Sequence, residues 1–133
     1  MINANSALFT DLTSEEGATV SGGGLQLQVK SIQCIKAGAD IVGNDETMLK
    51  INGEQAWKGS MGAGSFKLFE PRLTRPVEVG NFVGLYDEDG IFSRDDFMGG
   101  FNITGVKGPT TVKLSGSGST YQVTYRVIEV DDF

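Results

Sequence analysis

The segment "YQVTYRVIEV" (residues 121–130) alternates apolar and polar side chains from Tyr121 to Val127. Tyr121 and Val123 fall on one side of an extended chain, and Gln122 and Thr124 fall on the other, because successive side chains of a strand point to opposite faces. A helix would repeat its apolar positions at about 3.6 residues instead. The segment therefore predicts a strand with one buried face, and it directs the chain towards a layered β-structure.

Shorter strand-like segments recur along the rest of the chain. In order, they are residues 25–29, 47–51, 54–57, 65–69, 82–87, 98–103 and 110–114. Asn52-Gly53 separates the second from the third and is a strong hairpin signal, because both turn positions need positive φ. The apolar residues lie at odd-numbered positions up to Val29 and at even-numbered positions directly after it. This shift predicts a β-bulge near Lys30 and Ser31.

Composition supports the same fold class. The 133 residues include 19 glycines and 3 prolines, and no long helix-forming run is present. Short strands joined by tight turns at this spacing predict an all-β fold, an antiparallel β-sandwich of about eight strands. The stretch "SGSGST" (115–120) is short enough to be a hairpin loop. Trp57 is expected in the core or on its rim.

Charge and residue types exclude several classes of function. Eleven basic residues stand against 17 acidic ones, and they form no run, so a nucleic-acid partner is not expected. The absence of histidine and the single cysteine exclude imidazole base catalysis, Cys-His pairs and the usual zinc ligand sets. Cys34 lies among strand-like residues, which predicts a buried apolar role. No apolar run approaches the ~20 residues of a membrane span.

The first 24 residues, "MINANSALFTDLTSEEGATVSGGG", differ from the rest. They contain no Lys or Arg and end in three glycines just before the first strand pattern. On a helix, one narrow arc holds four residues: Phe9, Leu12, Glu16 and Val20. Such a helix is short and contains Gly17, so it needs a partner's groove for stability. We expect residues 1–23 to be a separate segment, helical or disordered, and residues 24–133 to form the β-sandwich domain.

This segment resembles the double-glycine leader peptides that peptidase-containing bacterial ABC exporters recognise and remove. Gly22 and Gly23 match the pair that precedes the cut, and the four residues of the arc match the recognised positions. Gly17 departs from the pattern, since such leaders usually carry an apolar residue there. The resemblance implies an exporter as partner, a cytoplasmic precursor and a secreted, extracellular bacterial product. A flexible glycine linker behind a disordered tail is the alternative.

Aspartates are concentrated in two loops between predicted strands. "AGADIVGNDETM" (37–48) and "YDEDGIFSRDDFMG" (86–99) contain Asp40, Asp45, Asp87, Asp89, Asp95 and Asp96. Both loops follow strands of the same expected direction, which places them at one end of the sandwich. Two carboxylates ~4 Å apart repel by about 4 kcal/mol at an effective dielectric constant of about 20. If these carboxylates lie close together, their repulsion must be relieved by protonation, by solvation or by a bound metal ion.

Calcium suits these residues better than magnesium or zinc. It accepts about six to eight oxygens at flexible angles, whereas magnesium requires a tight octahedron and zinc prefers nitrogen or sulfur. The second loop is not an EF-hand, because Gly90 follows Asp89 directly. The alternative is a pair of solvated acidic turns without metal, since Asp, Asn and Gly are common in turns.

The two loops resemble those of the C2 domain, a β-sandwich that binds calcium at one end. "DEDGIFSRDDFMG" resembles the family's third loop, through Asp87, Asp89, Asp96, Phe97, Met98 and Gly99, and "DIVGNDETMLKI" resembles the first, through Asp40, Gly43 and Asp45. The first loop is one residue shorter than usual and the third one longer, so Asp95 either replaces or assists Asp96. The resemblance implies Ca²⁺ held by the six aspartates. The Lys-rich strand with which some C2 domains bind phosphoinositides is absent from the sequence.

The resemblance also implies a mode of attachment. C2 domains often dock on membranes by inserting apolar residues from the calcium loops. Here Ile91 and Phe92 would lie at the tip of one loop, and Ile41 and Val42 would lie at the tip of the other. For Phe92 the alternative is packing back onto its own loop.

Two classes of function follow from the sequence. The first is an exported, non-enzymatic calcium-binding module that attaches to an anionic membrane surface, an extracellular polysaccharide or a protein. The second is a bacteriocin-like or toxin-like secreted effector with a purely structural calcium site. Catalysis is not expected, because the acids have metal-like spacing and few aromatic platforms accompany them.

Overall fold

The computed structural model describes residues 24–38, 44–88 and 95–130. These residues form eight strands: β1 (Gly24–Lys36), β2 (Asp45–Ile51), β3 (Glu54–Met61), β4 (Phe66–Val77), β5 (Phe82–Asp87), β6 (Asp96–Asn102), β7 (Lys107–Gly116) and β8 (Ser119–Val130). Four of them form a first antiparallel sheet in the order β4-β1-β8-β7, and the others form a second in the order β3-β2-β5-β6. The prediction of an all-β, eight-stranded antiparallel sandwich is confirmed.

The inner faces of the two sheets form one apolar core. Val123 of β8 and Leu27 of β1 pack there together with Leu49 of β2 and Leu85 of β5, and all four are fully buried. Tyr121, Val123, Tyr125 and Val127 are buried in alternation along β8, as the period of two predicted. No helix in the described part of the chain is long and apolar enough to cross a membrane.

Local signals in the sequence are confirmed at three places. The pairing of β1 with both of its neighbours shifts between Val29 and Ser31, where the bulge was predicted. Asn52 and Gly53 have φ values of 52° and 88°, as a hairpin turn of this kind requires. Trp57 is half-buried and meets Phe69 edge to face, with ring centroids 5.5 Å apart. The tryptophan therefore lies at the rim of the core, between the edge strands β3 and β4.

Strand β4 is longer than the sequence predicted. The prediction ended it at Phe69. Pro71 and Pro76 follow, and proline cannot donate a ladder hydrogen bond. The strand in fact continues to Val77 and pairs along β1. Since β4 lies at the edge of its sheet, only one side of its backbone must pair, and prolines are tolerated there.

The described ends of the two acidic segments, residues 37–48 and 86–99, lie at one end of the sandwich. Asp45 is the first residue of β2, and Asp87 is the last residue of the antiparallel neighbour β5. Strand β6 begins at Asp96, directly opposite Asp87, where a loop was predicted. Strand β8 begins at the same end, because Tyr121 contacts the first residues of β2. We call this the acidic end.

Truncation of a core side chain tests this packing. Leu49→Ala removes a fully buried side chain and should lower the free energy of unfolding by about 2–5 kcal/mol, through lost burial and the cavity left behind. Val79→Ala is the control, because Val79 is 66% exposed and its truncation should change stability by no more than about 0.5 kcal/mol. Urea unfolding measures both, and equal losses would contradict the assigned core.

Candidate metal centre at the acidic end

Asp45 and Asp87 both lie on the inner face of the second sheet, with none of their surface exposed. Thr47 is opposite Asp87 in the pairing of β2 with β5, so the two aspartates belong to adjacent strands. The Asp87 Oδ1 atom accepts a hydrogen bond of 2.7 Å from the backbone amide of Glu46. The fold thus brings together one aspartate from each acidic segment.

The carboxylate of Asp45 is held through one of its two oxygens. Its Oδ2 accepts hydrogen bonds from the Tyr121 hydroxyl at 2.7 Å and from Ser119 Oγ at 2.9 Å. Its Oδ1 is also buried, and the described residues supply no hydrogen-bond partner for it. Burial of a carboxylate without full pairing is costly. A cation beside the second oxygen would offset this cost.

Tyr121 is a fixed donor to this carboxylate. Thr47 Oγ1 lies 2.7 Å from the phenol oxygen, and it must donate because the single phenol proton goes to Asp45. Burial raises the pKa of Tyr121 well above its usual range, Asp45 adds to the rise, and the hydrogen bond from Thr47 partly opposes it. The phenol consequently stays neutral and keeps its proton for the carboxylate.

Cys34 lies on the inner face near the same group. Burial raises the pKa of its thiol, and the charge of Asp45 adds to the rise. The thiol is free and buried, and the raised pKa keeps it protonated, whereas a metal ligand or nucleophile must be a thiolate. The predicted apolar role of Cys34 agrees with this burial.

The turn between β7 and β8 braces both acidic segments. Ser119 Oγ accepts a 3.1 Å hydrogen bond from the amide of Gly38, and Ser117 Oγ donates one of 3.1 Å to the carbonyl of Phe97. The backbones also touch: a Cβ atom on Gly38 would lie 2.5 Å from the carbonyl oxygen of Gly118. Gly118 itself has φ of +84°, which favours glycine. The turn thus holds the backbone of the first acidic segment at Gly38 and that of the second at Phe97.

Asp95 and Asp96 differ in their surroundings. Asp96 is half-buried beside Asp87, at the start of β6. Asp95 Oδ2 lies 3.7 Å from the Lys50 ammonium, and this ammonium also sits 5.0 Å from the centroid of the Tyr86 ring. The structure therefore places Asp95 with a cation of the protein itself and leaves Asp96 closer to the Asp45–Asp87 pair.

The other predicted site residues lie outside the described residues. They are the loop aspartates Asp40 and Asp89, the apolar tips Ile41, Val42, Ile91 and Phe92, and the leader positions Phe9, Leu12, Glu16, Val20, Gly22 and Gly23. Within residues 24–38, 44–88 and 95–130, no group of three or more His, Cys, Asp or Glu side chains is placed to hold a metal ion. The described part of the centre is the buried pair and its hydroxyl donors.

Ser119 and Tyr121 are the members of this site that the sequence did not predict. Tyr121 was recognised only as a buried position of an alternating strand, and Ser119 only as part of a hairpin loop. Both contact Asp45 across 74 and 76 positions of chain. The one local signal was a hydroxyl on a buried position, since a buried tyrosine usually finds a hydrogen-bond partner.

The strand pairings place the protein in the class of antiparallel β-sandwiches. No family model and no curated protein matches the sequence. Among solved structures, the chain is similar to a C2 domain, with 16% sequence identity and a TM-score of 0.49. The alignment covers 79% of this chain and 97% of that domain.

Removal of the Tyr121 hydroxyl tests the link between the sheets. Tyr121→Phe keeps the ring but leaves Asp45 without one donor, and it should cost about 1–3 kcal/mol of stability because the carboxylate is buried. Tyr125→Phe is the matched control, since the Tyr125 ring is buried against Phe101, with centroids 4.3 Å apart. Urea unfolding in EDTA should show the larger loss for Tyr121→Phe. Equal losses would mean that the Tyr121 hydroxyl contributes no more to stability than the Tyr125 hydroxyl does.

The raised pKa of Tyr121 predicts a dependence of stability on alkaline pH. The folded protein keeps the phenol proton above pH ~10, while the unfolded chain releases it near the ordinary pKa of about 10. This contribution to stability is therefore fully present below pH ~10 and is lost as the pH rises further. Unfolding free energies between about pH 8 and pH 11 should fall more steeply for the wild type than for Tyr121→Phe. Parallel curves would contradict the burial of a neutral phenol.

Proposed function

We propose that this protein is an exported, non-enzymatic calcium-binding module of the C2-like kind, with its cation at the acidic end of the sandwich. The observation that carries the proposal is the state of Asp45. One carboxylate oxygen is held by two hydroxyl groups, and the other is buried without a hydrogen-bond partner among the described residues. A cation beside that oxygen would supply the compensation that a buried carboxylate requires.

The chemistry of the available donors favours calcium. The buried pair Asp45 and Asp87 offers carboxylate oxygens, and the nearby thiol of Cys34 is kept protonated by its raised pKa. Oxygen ligands select a hard cation, and calcium tolerates the irregular ligand geometry that two loops supply. Asp40 and Asp89 are the further ligands that the resemblance of the loops to C2 domains implies.

Calcium would change the charge of this end of the molecule. Without it, clustered carboxylates repel an anionic surface, and with it the local charge is neutralised. We propose that Ile41, Val42, Ile91 and Phe92 then contact an anionic membrane surface. Export through a peptidase-containing ABC exporter, with a cut after Gly23, is the companion proposal and is supported by the resemblance of residues 9–23 to double-glycine leaders.

Thermal melting of the full chain in EDTA, in millimolar Ca²⁺ and in millimolar Mg²⁺ tests the calcium site. A ligand at about 100 times its dissociation constant stabilises by about 2.7 kcal/mol, which raises the melting temperature of a domain of this size by several degrees. The rise should be selective for calcium. Asp45→Asn and Asp87→Asn should abolish it, because each keeps the side-chain shape and removes one ligand charge.

Glu78→Gln provides the control for these variants. It removes one exposed carboxylate from the turn after β4, away from the acidic end, and it should keep the full calcium response. A wild-type protein with no calcium-dependent shift would contradict the proposal, as would an unchanged shift in Asp45→Asn.

A further inference from the structure

The charges of the protein are divided unequally between the two sheets. The first sheet carries eight Lys and Arg residues and two acidic residues, Glu70 and Glu129. Of the eight cations, two lie on β1, three on β4, two on β7 and one on β8. The second carries Lys50 and Lys58 against five acids, two on β2 and one each on β3, β5 and β6. The formal net charges are therefore +6 and −3, although the whole chain has a net charge of −6.

The lysines of the second sheet are neutralised within the protein, and the cations of the first sheet are not. Lys50 pairs with Asp95, and Lys58 pairs with Glu88. These are the two salt bridges that the described residues form, so none of the eight cations of the first sheet has a carboxylate partner among them. Lys67 and Arg75 are opposite the buried Ile32 and Leu27, on the inner side of the sheet edge. Lys113 and Arg126 lie on the outer face and are available there to an external anion.

One row of side chains crosses the outer face of the first sheet on all four strands. Lys113 on β7 is opposite Gln122 on β8, Gln122 is opposite Gln33 on β1, and Gln33 is opposite Phe66 on β4. Opposed residues share one face of a sheet. Lys113 alternates with the buried Leu114, and Gln122 with the buried Tyr121 and Val123, so this face is the solvent side. We call these four residues the Lys113–Phe66 row.

The row combines three kinds of contact. Lys113 is exposed and supplies an ammonium group at one end. Gln122 and Gln33 supply amide donors and acceptors in the middle. Phe66 supplies an aromatic ring at the other end, and 59% of its surface is exposed. Adjacent strands are about 4.8 Å apart, so the row spans roughly 14 Å.

Neighbouring rows on the same face extend this pattern. Arg126 Nε donates to Gln28 Oε1 at 2.7 Å, which orients the guanidinium across β8 and β1. Thr111 and Thr124 form a hydroxyl pair at 2.8 Å. Lys113 and Arg126 are roughly 14 Å apart, from strand and residue spacings. This is the spacing of their Cα atoms, and the bond to Gln28 holds the Arg126 guanidinium on the side of β8 away from Lys113. Two cations placed in this way fit anions spaced along a polymer.

We propose that the Lys113–Phe66 row binds an acidic polysaccharide that carries carboxylates on its sugar rings. The ammonium of Lys113 pairs with a sugar carboxylate, since charge-assisted hydrogen bonds are the strong ones. The two glutamines bond to ring hydroxyls, and the Phe66 ring covers the apolar face of a sugar. The row is separate from the acidic end, so this binding does not require calcium.

Affinity electrophoresis of the full chain in native gels tests the proposal, with EDTA present to exclude calcium bridges. The probes are polygalacturonate and, as a neutral polymer, dextran. Polygalacturonate should retard the wild-type protein and dextran should not. Lys113→Gln and Phe66→Ala should each weaken retardation by about tenfold or more. Both residues are exposed, so the melting temperatures should stay at the wild-type value.

Two substitutions on the second sheet are matched controls. Lys58→Gln makes the same charge change as Lys113→Gln, and Phe97→Ala removes a ring that is 46% exposed. Both should leave retardation unchanged. Equal weakening by the controls would overturn the proposal, because it would show capture by overall charge. Absence of retardation by polygalacturonate, or sedimentation with phosphatidylserine vesicles that depends on Lys113 and Phe66 instead, would also overturn it.

Discussion

The hydrogen bond from Tyr121 to Asp45 joins the two sheets at the end where the acidic segments converge. It connects β8 of the first sheet with β2 of the second, and both partners are fully buried. A buried carboxylate is tolerated only with good partners, so the position of one sheet over the other is fixed at this point. Ser119 strengthens the same connection and accepts the amide of Gly38. The acidic end is therefore organised by neutral hydroxyl groups.

This arrangement explains how a short serine- and glycine-rich turn takes part in the site without supplying a charge. The turn touches the chain on both sides, at Gly38 and at Phe97. It thereby sets the separation of the two segments whose aspartates face each other. In the proposed calcium site, the ligands come from the acidic segments and their spacing comes from the turn. Preorganisation of this kind lowers the cost of assembling a binding site.

Features that depend on local spacing were predictable from the sequence. The alternation in β8, the Asn52-Gly53 turn and the bulge after Val29 each need only neighbouring residues. Features that depend on topology were not. The continuation of β4 past Pro71 requires knowledge that the strand lies at an edge, and the Tyr121–Asp45 contact joins residues 76 positions apart. The basic character of the first sheet is equally invisible in a sequence without a basic run, because it arises when separate strands come together.

The edges of the first sheet have a further consequence for the molecule in solution. All 3 prolines of the chain lie on its two edge strands, Pro71 and Pro76 on β4 and Pro109 on β7. An edge strand with open backbone groups recruits strands from other molecules, and proline interrupts the hydrogen-bond ladder that such recruitment needs. The sheet with the exposed Phe66 is thus protected against sheet extension along both sides. At high local concentration the protein would therefore not associate through these edges, while the broad outer face of the sheet stays accessible.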